Sequence, residues 1–275
     1  MITVLASLAL LAVVFIPLEK AFAAVKQPTL HRATPTDLAF FLGQGLLWSG
    51  LIIGALRLAV VPIGSPLAPA ASALPWWLQA VLVVLIGDLV VYWAHRLSHR
   101  VPLLWRFHRV HHTPQRMDWL AAYREHPIDG LWTQLWLNLP GILIGFPIAT
   151  IAGVAAFRGA WGMLIHSNVS LRLGPIRYLI GAPRLHHWHH DLSHGGRCNF
   201  ANLCPLMDVL FGTFNEPDIE PAEYGISEPV PRSYLGLLAE PLLPARLCRR
   251  LFPPRAEPRS HVVRSQPQPP TEYSK

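Results

Sequence analysis

Nine of the fourteen histidines in this 275-residue chain fall into four groups: His95 and His99; His108, His111 and His112; His166; and His186, His189 and His190. The first pair is written H-R-L-S-H, an i, i+4 step, and the second and last groups are both H-x-x-H-H. On a helix, positions i, i+3 and i+4 share one face, so imidazoles placed there can share an ion. A lone pair four apart is more often an ordinary solvated helix face. Three separate groups, two with the same internal spacing, point to metal binding. Eight or more imidazoles exceed what one ion can coordinate. Two ions, each with three to five nitrogen ligands and a position left for oxygen, match the preference of neutral imidazole for iron or zinc. The zinc-hydrolase pattern H-E-x-x-H and the carboxylate-rich pattern of soluble di-iron bundles are both absent. Iron is the choice that can activate dioxygen.

The elements that position these residues are membrane helices. The chain is 52% hydrophobic and 14% charged, with a mean hydropathy of +0.32, and its apolar residues come in long runs. This predicts an all-α integral membrane protein whose transmembrane helices carry a cytoplasmic, histidine-rich helical cap. The formal charge of +7 comes from arginines beside apolar runs, the pattern of positive charge on the cytoplasmic side of a bilayer rather than of a nucleic-acid site. Cys198, Cys204 and Cys248 form no C-x-x-C and are odd in number, so neither a disulfide framework nor a thiolate site is indicated.

A spanning helix needs about 20 mainly apolar residues. Residues 2–18, 38–62 and 76–94 meet this. The first reads as an anchor: Ala21-Phe22-Ala23 resembles a signal cleavage site, but no Lys or Arg precedes the apolar run. Residues 131–165 are too long for one crossing and are interrupted by Pro140-Gly141 and Gly145-Phe146-Pro147, which predicts a hairpin of two short helices. The uncharged 61–75 loop belongs outside, and 96–130, with six arginines, belongs in the cytoplasm together with His166 and all that follows. The organisation predicted is a transmembrane anchor and loop (1–37), a histidine-box catalytic domain (38–214), a Pro/acid loop with an interfacial segment interrupted by Pro241 and Pro244 (215–252), and a disordered tail (253–275).

Asp88, Tyr92, His95 and His99 are spaced 4, 3 and 4, one helical stripe that descends to the membrane edge. An acid at the depth of Asp88 is costly and functional by default. Its expected job is to accept a hydrogen bond from the second ring nitrogen of a ligand, with pairing to an arginine as the alternative. Pro102 should end this helix near Arg100, and a second short helix then carries His108, His111 and His112.

His95-Arg-Leu-Ser-His99, His108-Arg-Val-His-His112 and His186-His-Trp-His-His190, followed by Asn199-Phe200 and Asp208-Val-Leu-Phe-Gly-Thr213, resemble the fatty acid hydroxylase and sterol desaturase superfamily over residues 88–213. The resemblance implies a membrane di-iron oxygenase acting on a lipid C–H bond with O2 and two electrons. Its two iron ions would be held by His95, His99, His108, His111, His112, His166, His186, His189 and His190. It also implies that Glu125-His126-Pro127 lies near the site, and it points to Asn199 and Asp208 as supporting residues. His166-Ser-Asn168 lacks the second histidine of some hydroxylases, and Asn168 could act there through water. The extra imidazole of His187 leaves the register of the third box open, with family spacing favouring His186. His126 and His194 stand between support of the ligands and plain polar loop, whereas His31 and His261 read as solvated.

No dinucleotide, haem or iron–sulfur motif is present, so no bound flavin or haem is expected. The electrons must come from a separate ferredoxin- or cytochrome-type donor with its reductase, docked on the basic surface. The expected setting is the bacterial cytoplasmic membrane. Two other readings remain open on the residues: a b-type cytochrome, and a zinc-stapled lipid-binding membrane protein.

Overall fold

The computed structural model describes residues 1–60 and 64–252. The predicted tail 253–275, His261, and residues 61 and 62 of the second expected span lie outside the described residues. The helices are α1 (Ile2–Ala21), α2 (Thr34–Gly43), α3 (Ser49–Val60), α4 (Ala68–Ala73), α5 (Trp76–Arg100), α6 (Pro102–His108), α7 (Pro127–Ile144), α8 (Ile148–His166), α9 (Pro183–His189), α10 (Leu206–Leu210), α11 (Tyr234–Ala239) and α12 (Ala245–Leu251). A π-helical turn, Gln44–Trp48, joins α2 to α3, and 3₁₀ turns occupy Trp119–Tyr123 and Gly174–Tyr178. Isolated bridges, and no strands, occur among the described residues.

Four helices are long and apolar enough to cross a membrane: Ile2–Ala21, Thr34–Leu56, Trp76–Arg100 and Ile148–His166. The three expected spans and the second arm of the expected hairpin are therefore present. The hairpin differs in detail, since α7 and α8 have 18 and 19 residues and are not short. Pro140 lies inside α7 without ending it, as neighbouring helices allow in membranes. The chain reverses at Gly145 instead. Its φ of +89° is left-handed, its N–H caps the carbonyls of Gly141 and Ile142, and a Cβ there would sit 2.7 Å from Ala68. The 61–75 loop also contains α4, whose Ala71 packs with Val83, Phe146, Ile151 and Val154 at that end of the bundle.

Polar bonds show which ends lie together. Glu19, near the end of α1, accepts from the N–H groups of Trp119 (2.9 Å) and Asn168 (3.0 Å), just beyond α8. Asp37, near the start of α2, pairs with Arg124, just before α7. The C-termini of α1, α5 and α8 and the N-termini of α2 and α7 therefore share one end, which carries α6, α9 and the histidines. Phe15 stacks on Trp119 with ring centroids 5.8 Å apart. Phe40, Val110 and Leu237 form a further core that ties α11 to this end, and Arg109 is ion-paired with Glu240.

Candidate metal centre

Proline decides how the site is presented. Pro102 ends α5 at Arg100 as expected and starts α6, and Pro183 starts α9. The two H-x-x-H-H boxes do not lie wholly on helices, however. α6 stops at His108, and His111 and His112 follow in turns closed by His111 N–H to His108 O (2.9 Å) and His112 N–H to Arg109 O (3.1 Å). In the third box His190 is the C-cap of α9.

The side chains of each box divide between two clusters. One cluster contains His95, His99, His108, His112 and His189, and the other His111, His166, His186 and His190, with the nitrogens of each cluster within 4.8 Å of one another. Positions i and i+4 of each box enter one cluster and position i+3 the other, in opposite senses for the two boxes. The clusters abut, with the rings of His112 and His190 stacked 4.4 Å apart.

The hydrogen bonds around the rings test whether a metal fits. A carbonyl oxygen only accepts, so the ring nitrogen facing it carries the hydrogen and the other nitrogen is left as a bare lone pair. His95 Nδ1 faces Phe200 O (2.8 Å), His189 Nδ1 faces Cys198 O (2.7 Å), His166 Nδ1 faces Gly162 O (2.6 Å) and His111 Nδ1 faces Arg124 O (3.3 Å). His108 Nδ1 meets the Asp129 carboxylate at 2.9 Å. The Nε2 atoms left over point at one another, His95 to His108 at 3.1 Å and His111 to His166 at 3.2 Å. His189 Nε2 is buried with no partner at all. Lone pairs so arranged repel unless a cation lies among them. Separations of 3.0–3.2 Å suit neighbouring ligands of one ion with metal–nitrogen bonds of about 2.1 Å. Burial, reinforced by the surrounding imidazoles, holds His111, His112, His186 and His190 well below the ordinary imidazole value. Burial likewise takes His189 to about 3, so at neutral pH these rings are in the uncharged form a metal needs. Ligand atoms this close leave no room for a porphyrin between them, which removes the cytochrome reading.

Several expected supporting residues have other partners. Asp88 reaches no histidine: it pairs with Arg158 at 2.9 Å and accepts from Cys204 N–H at 2.6 Å, the alternative pairing. The carboxylate behind a ligand is Asp129 instead. Tyr92 bonds Thr213 Oγ1 (2.9 Å) and receives a bond from Arg96 (2.9 Å). Asn168 does not face the metal clusters, because both ends of its amide clamp the backbone of Val25. His126 caps α7 through Ile128 N–H and reaches Leu238 O. His187 meets Glu220 (2.8 Å) and Ser167 O (3.1 Å), so both nitrogens face oxygen acceptors and it joins neither cluster. His194 bonds Asp191 at 2.7 Å. His31 is not simply solvated: its side chain is 11% exposed and bonds Asp118 at 2.8 Å.

Asn199 and Asp208 act through backbone. Asn199, left-handed at φ +55°, donates to Leu185 O and Asn215 O, both at 2.7 Å. Asp208 accepts from the N–H groups of Phe200 (2.7 Å) and Ala201 (2.9 Å), and burial raises its carboxyl to about 6. Both thus steady the segment whose carbonyls orient His95 and His189. Sequence reasoning missed Asp129, whose only signal was an acid in the first turn of an apolar helix. The carbonyl acceptors carry no side-chain signal at all. Changing Asp129 to Asn is expected to loosen metal at the five-histidine cluster by about 10- to 100-fold, read as metal retained against a chelator series. Retention equal to the wild type would deny Asp129 that role.

Two cavities lie nearby. The larger, about 850 Å³, is apolar, is lined by Trp76, Val84, Gly153 and Phe157, and touches no histidine. The smaller, about 440 Å³, opens onto His95, His108, His111, His166 and His186 and lies between α5, α7 and α8. Of the two, the smaller is the one that reaches the histidines. Glu125 lines it, as the Glu-His-Pro motif implied, and burial, aided by the charge of Asp129, raises its carboxyl to about 8.

Fold and site together define a multi-pass helical membrane protein with a two-part, all-histidine metal site at one end of its bundle. The family model described as fatty acid hydroxylase matches residues 80–213. Over that stretch the chain is similar to the fatty acid hydroxylase and sterol desaturase superfamily. It is 36% identical over 169 residues to the ornithine lipid hydroxylase OlsE of Rhizobium tropici, covering 61% of this chain and 51% of that protein. It is 29% identical over 160 residues to the alkylglycerol monooxygenase of Homo sapiens, covering 57% and 34%. With the Delta(7)-sterol 5(6)-desaturase erg3B of Aspergillus fumigatus it shares 26% identity over 167 residues, covering 61% and 47%. The matches thus span about a third to a half of these relatives. No solved structure matches the chain.

Proposed function

We propose that the protein is a membrane-bound non-haem di-iron oxygenase that hydroxylates or desaturates a C–H bond of a lipid, using O2 and two electrons from an external donor. The observation that carries this reading is the convergence of unprotonated imidazole nitrogens into two abutting clusters. His95, His99, His108, His112 and His189 would hold one iron, and His111, His166, His186 and His190 the other. Bound there, iron supplies dioxygen activation and the oxidising power to break an unactivated C–H bond. The protein's own part is orientation and exclusion of water. Asp129 and four backbone carbonyls fix the rings by their Nδ1–H groups, and the chamber beneath holds the reacting carbon away from solvent.

The names of the relatives, which act on ornithine lipids, alkylglycerols and sterols, support a fatty acyl, sterol-like or related lipid as substrate. The substrate would enter from the bilayer between helices. The arginine distribution supports a cytoplasmic histidine end, and the Rhizobium relative supports a bacterial membrane, with residues 1–37 as anchor, 38–214 as catalytic domain and 215–252 as peripheral segment. Exposed Arg100, Arg116, Arg197 and Arg249 offer a basic surface to an acidic ferredoxin- or cytochrome-type donor.

Two measurements test this. Protein purified without oxygen should contain two irons per chain, and turnover of total lipid with a reductase system should require O2, with labelled oxygen appearing in a hydroxylated product. Zinc in place of iron, or turnover without oxygen, would remove the oxygenase reading. Reporters fused after Arg116 and Lys275 should both read cytoplasmic, and one in the 64–75 loop should read outside. The opposite pattern would invert the orientation.

A further inference from the structure

The chamber beneath the histidines is not purely apolar. Its lining includes Gln44, Glu125, Thr133 and Asn202, and among the described residues none of these side chains has a hydrogen-bond partner. Gln44 opens the π-helical turn Gln44–Trp48, and such turns are often found at functional sites. Unpaired polar groups beside a bare methylene chain would each lose hydrogen bonds to water and gain none. The neighbouring 850 Å³ cavity, by contrast, is lined almost wholly by apolar side chains and suits plain hydrocarbon. No lysine or arginine lines the chamber, so a carboxylate or phosphate would find no cation there and would face Glu125. Burial favours the uncharged form of Glu125, which then has both an O–H to donate and a carbonyl to accept.

Resting on the oxygenase reading for its geometry, we propose that Gln44, Glu125 and Thr133 hold an uncharged oxygen-bearing group of the lipid, a hydroxyl, amide or ester oxygen close in the chain to the reacting carbon. The substrate class is thereby narrowed. The chain part beyond that group runs along α8, where a Cβ on Gly159 would meet nothing within 4 Å.

Metal-loaded protein in nanodiscs is titrated with four labelled probes of equal chain length: hexadecan-1-ol, hexadecanamide, hexadecanoate and hexadecylamine. Binding is counted as the part removed in Gly159→Phe, which fills the chamber, and metal content reports the fold of every variant. The alcohol and the amide should bind, and Gln44→Leu and Glu125→Leu should each weaken them about tenfold, with metal retained. Glu125→Gln, which keeps the hydrogen-bonding groups, should recover part of what Glu125→Leu loses. Tighter binding of hexadecanoate or hexadecylamine would overturn the proposal, as would affinities unchanged within about twofold in both leucine variants. These outcomes are separable from failure of the oxygenase reading, because binding is measured without turnover. Absence of oxygen-dependent turnover would remove that reading while leaving the probe preferences to stand or fall by themselves.

Discussion

Alanine in place of His186 is expected to empty the four-histidine cluster and stop turnover, whereas alanine in place of His187 should leave both metals bound. The neighbours differ in what their nitrogens face. His186 Nε2 lies 3.0 Å from both His166 Nε2 and His190 Nε2, while His187 is held between Ser167 O and Glu220. A cluster of four has no ligand in reserve. Loss of His111, His166, His186 or His190 should lower iron from two to about one per chain and turnover by more than about 100-fold, since even outer partners of ligands are worth 10- to 100-fold. The five-histidine cluster still has four imidazoles after one loss, so alanine at His95, His99, His108, His112 or His189 should weaken that ion before emptying its site. His187→Ala should cost about 1–2 kcal/mol of stability and only part of the rate. Iron per chain and turnover, measured on the same samples, decide it. Metal lost from His187→Ala and kept by His186→Ala would reverse the assignment.

Arg158→Met should be the most destabilising change away from the histidines. Arg158 and Asp88 are both buried in the helical bundle, Asp88 completely, and removing one partner leaves an uncompensated charge costing about 3–5 kcal/mol. Gly87 makes room for the pair, since a Cβ there would lie 2.9 Å from Arg158. Removing both charges should be far milder: the Asp88→Asn, Arg158→Met double variant should recover most of the lost thermal midpoint in detergent. The single variant should also bind metal less tightly at the five-histidine cluster, because Asp88 grips Cys204 in the segment that orients His95 and His189. A wild-type melting midpoint for Arg158→Met would show that the pair holds nothing together.

Hydropathy made the long helices legible, because each span is a run of apolar residues readable one at a time. The histidine boxes were legible for a similar reason, their spacing being local. What escaped depends on distant partners. Asp88 and Arg158 are 70 residues apart, and nothing near either names the other. Pro140 reads as a break, yet α7 continues through it because neighbouring helices, not the local chain, decide its fate. The division of each H-x-x-H-H box was hidden by reading positions i, i+3 and i+4 as one face. Positions i+3 and i+4 of a helix lie about 100° apart, and here His112 and His190 stay with position i while His111 and His189 turn to the other cluster.

That division has a thermodynamic consequence. His111 and His112 are joined by a single peptide bond yet belong to different clusters, and the same is true of His189 and His190. An ion in either cluster steadies both of these adjacent pairs, so part of the ordering entropy for the later ion is lost beforehand. By reciprocity, each ion raises the affinity of the other. Filling should therefore be sigmoidal in free metal, with few molecules holding one ion at half-saturation, and stripping by a chelator should release both ions together.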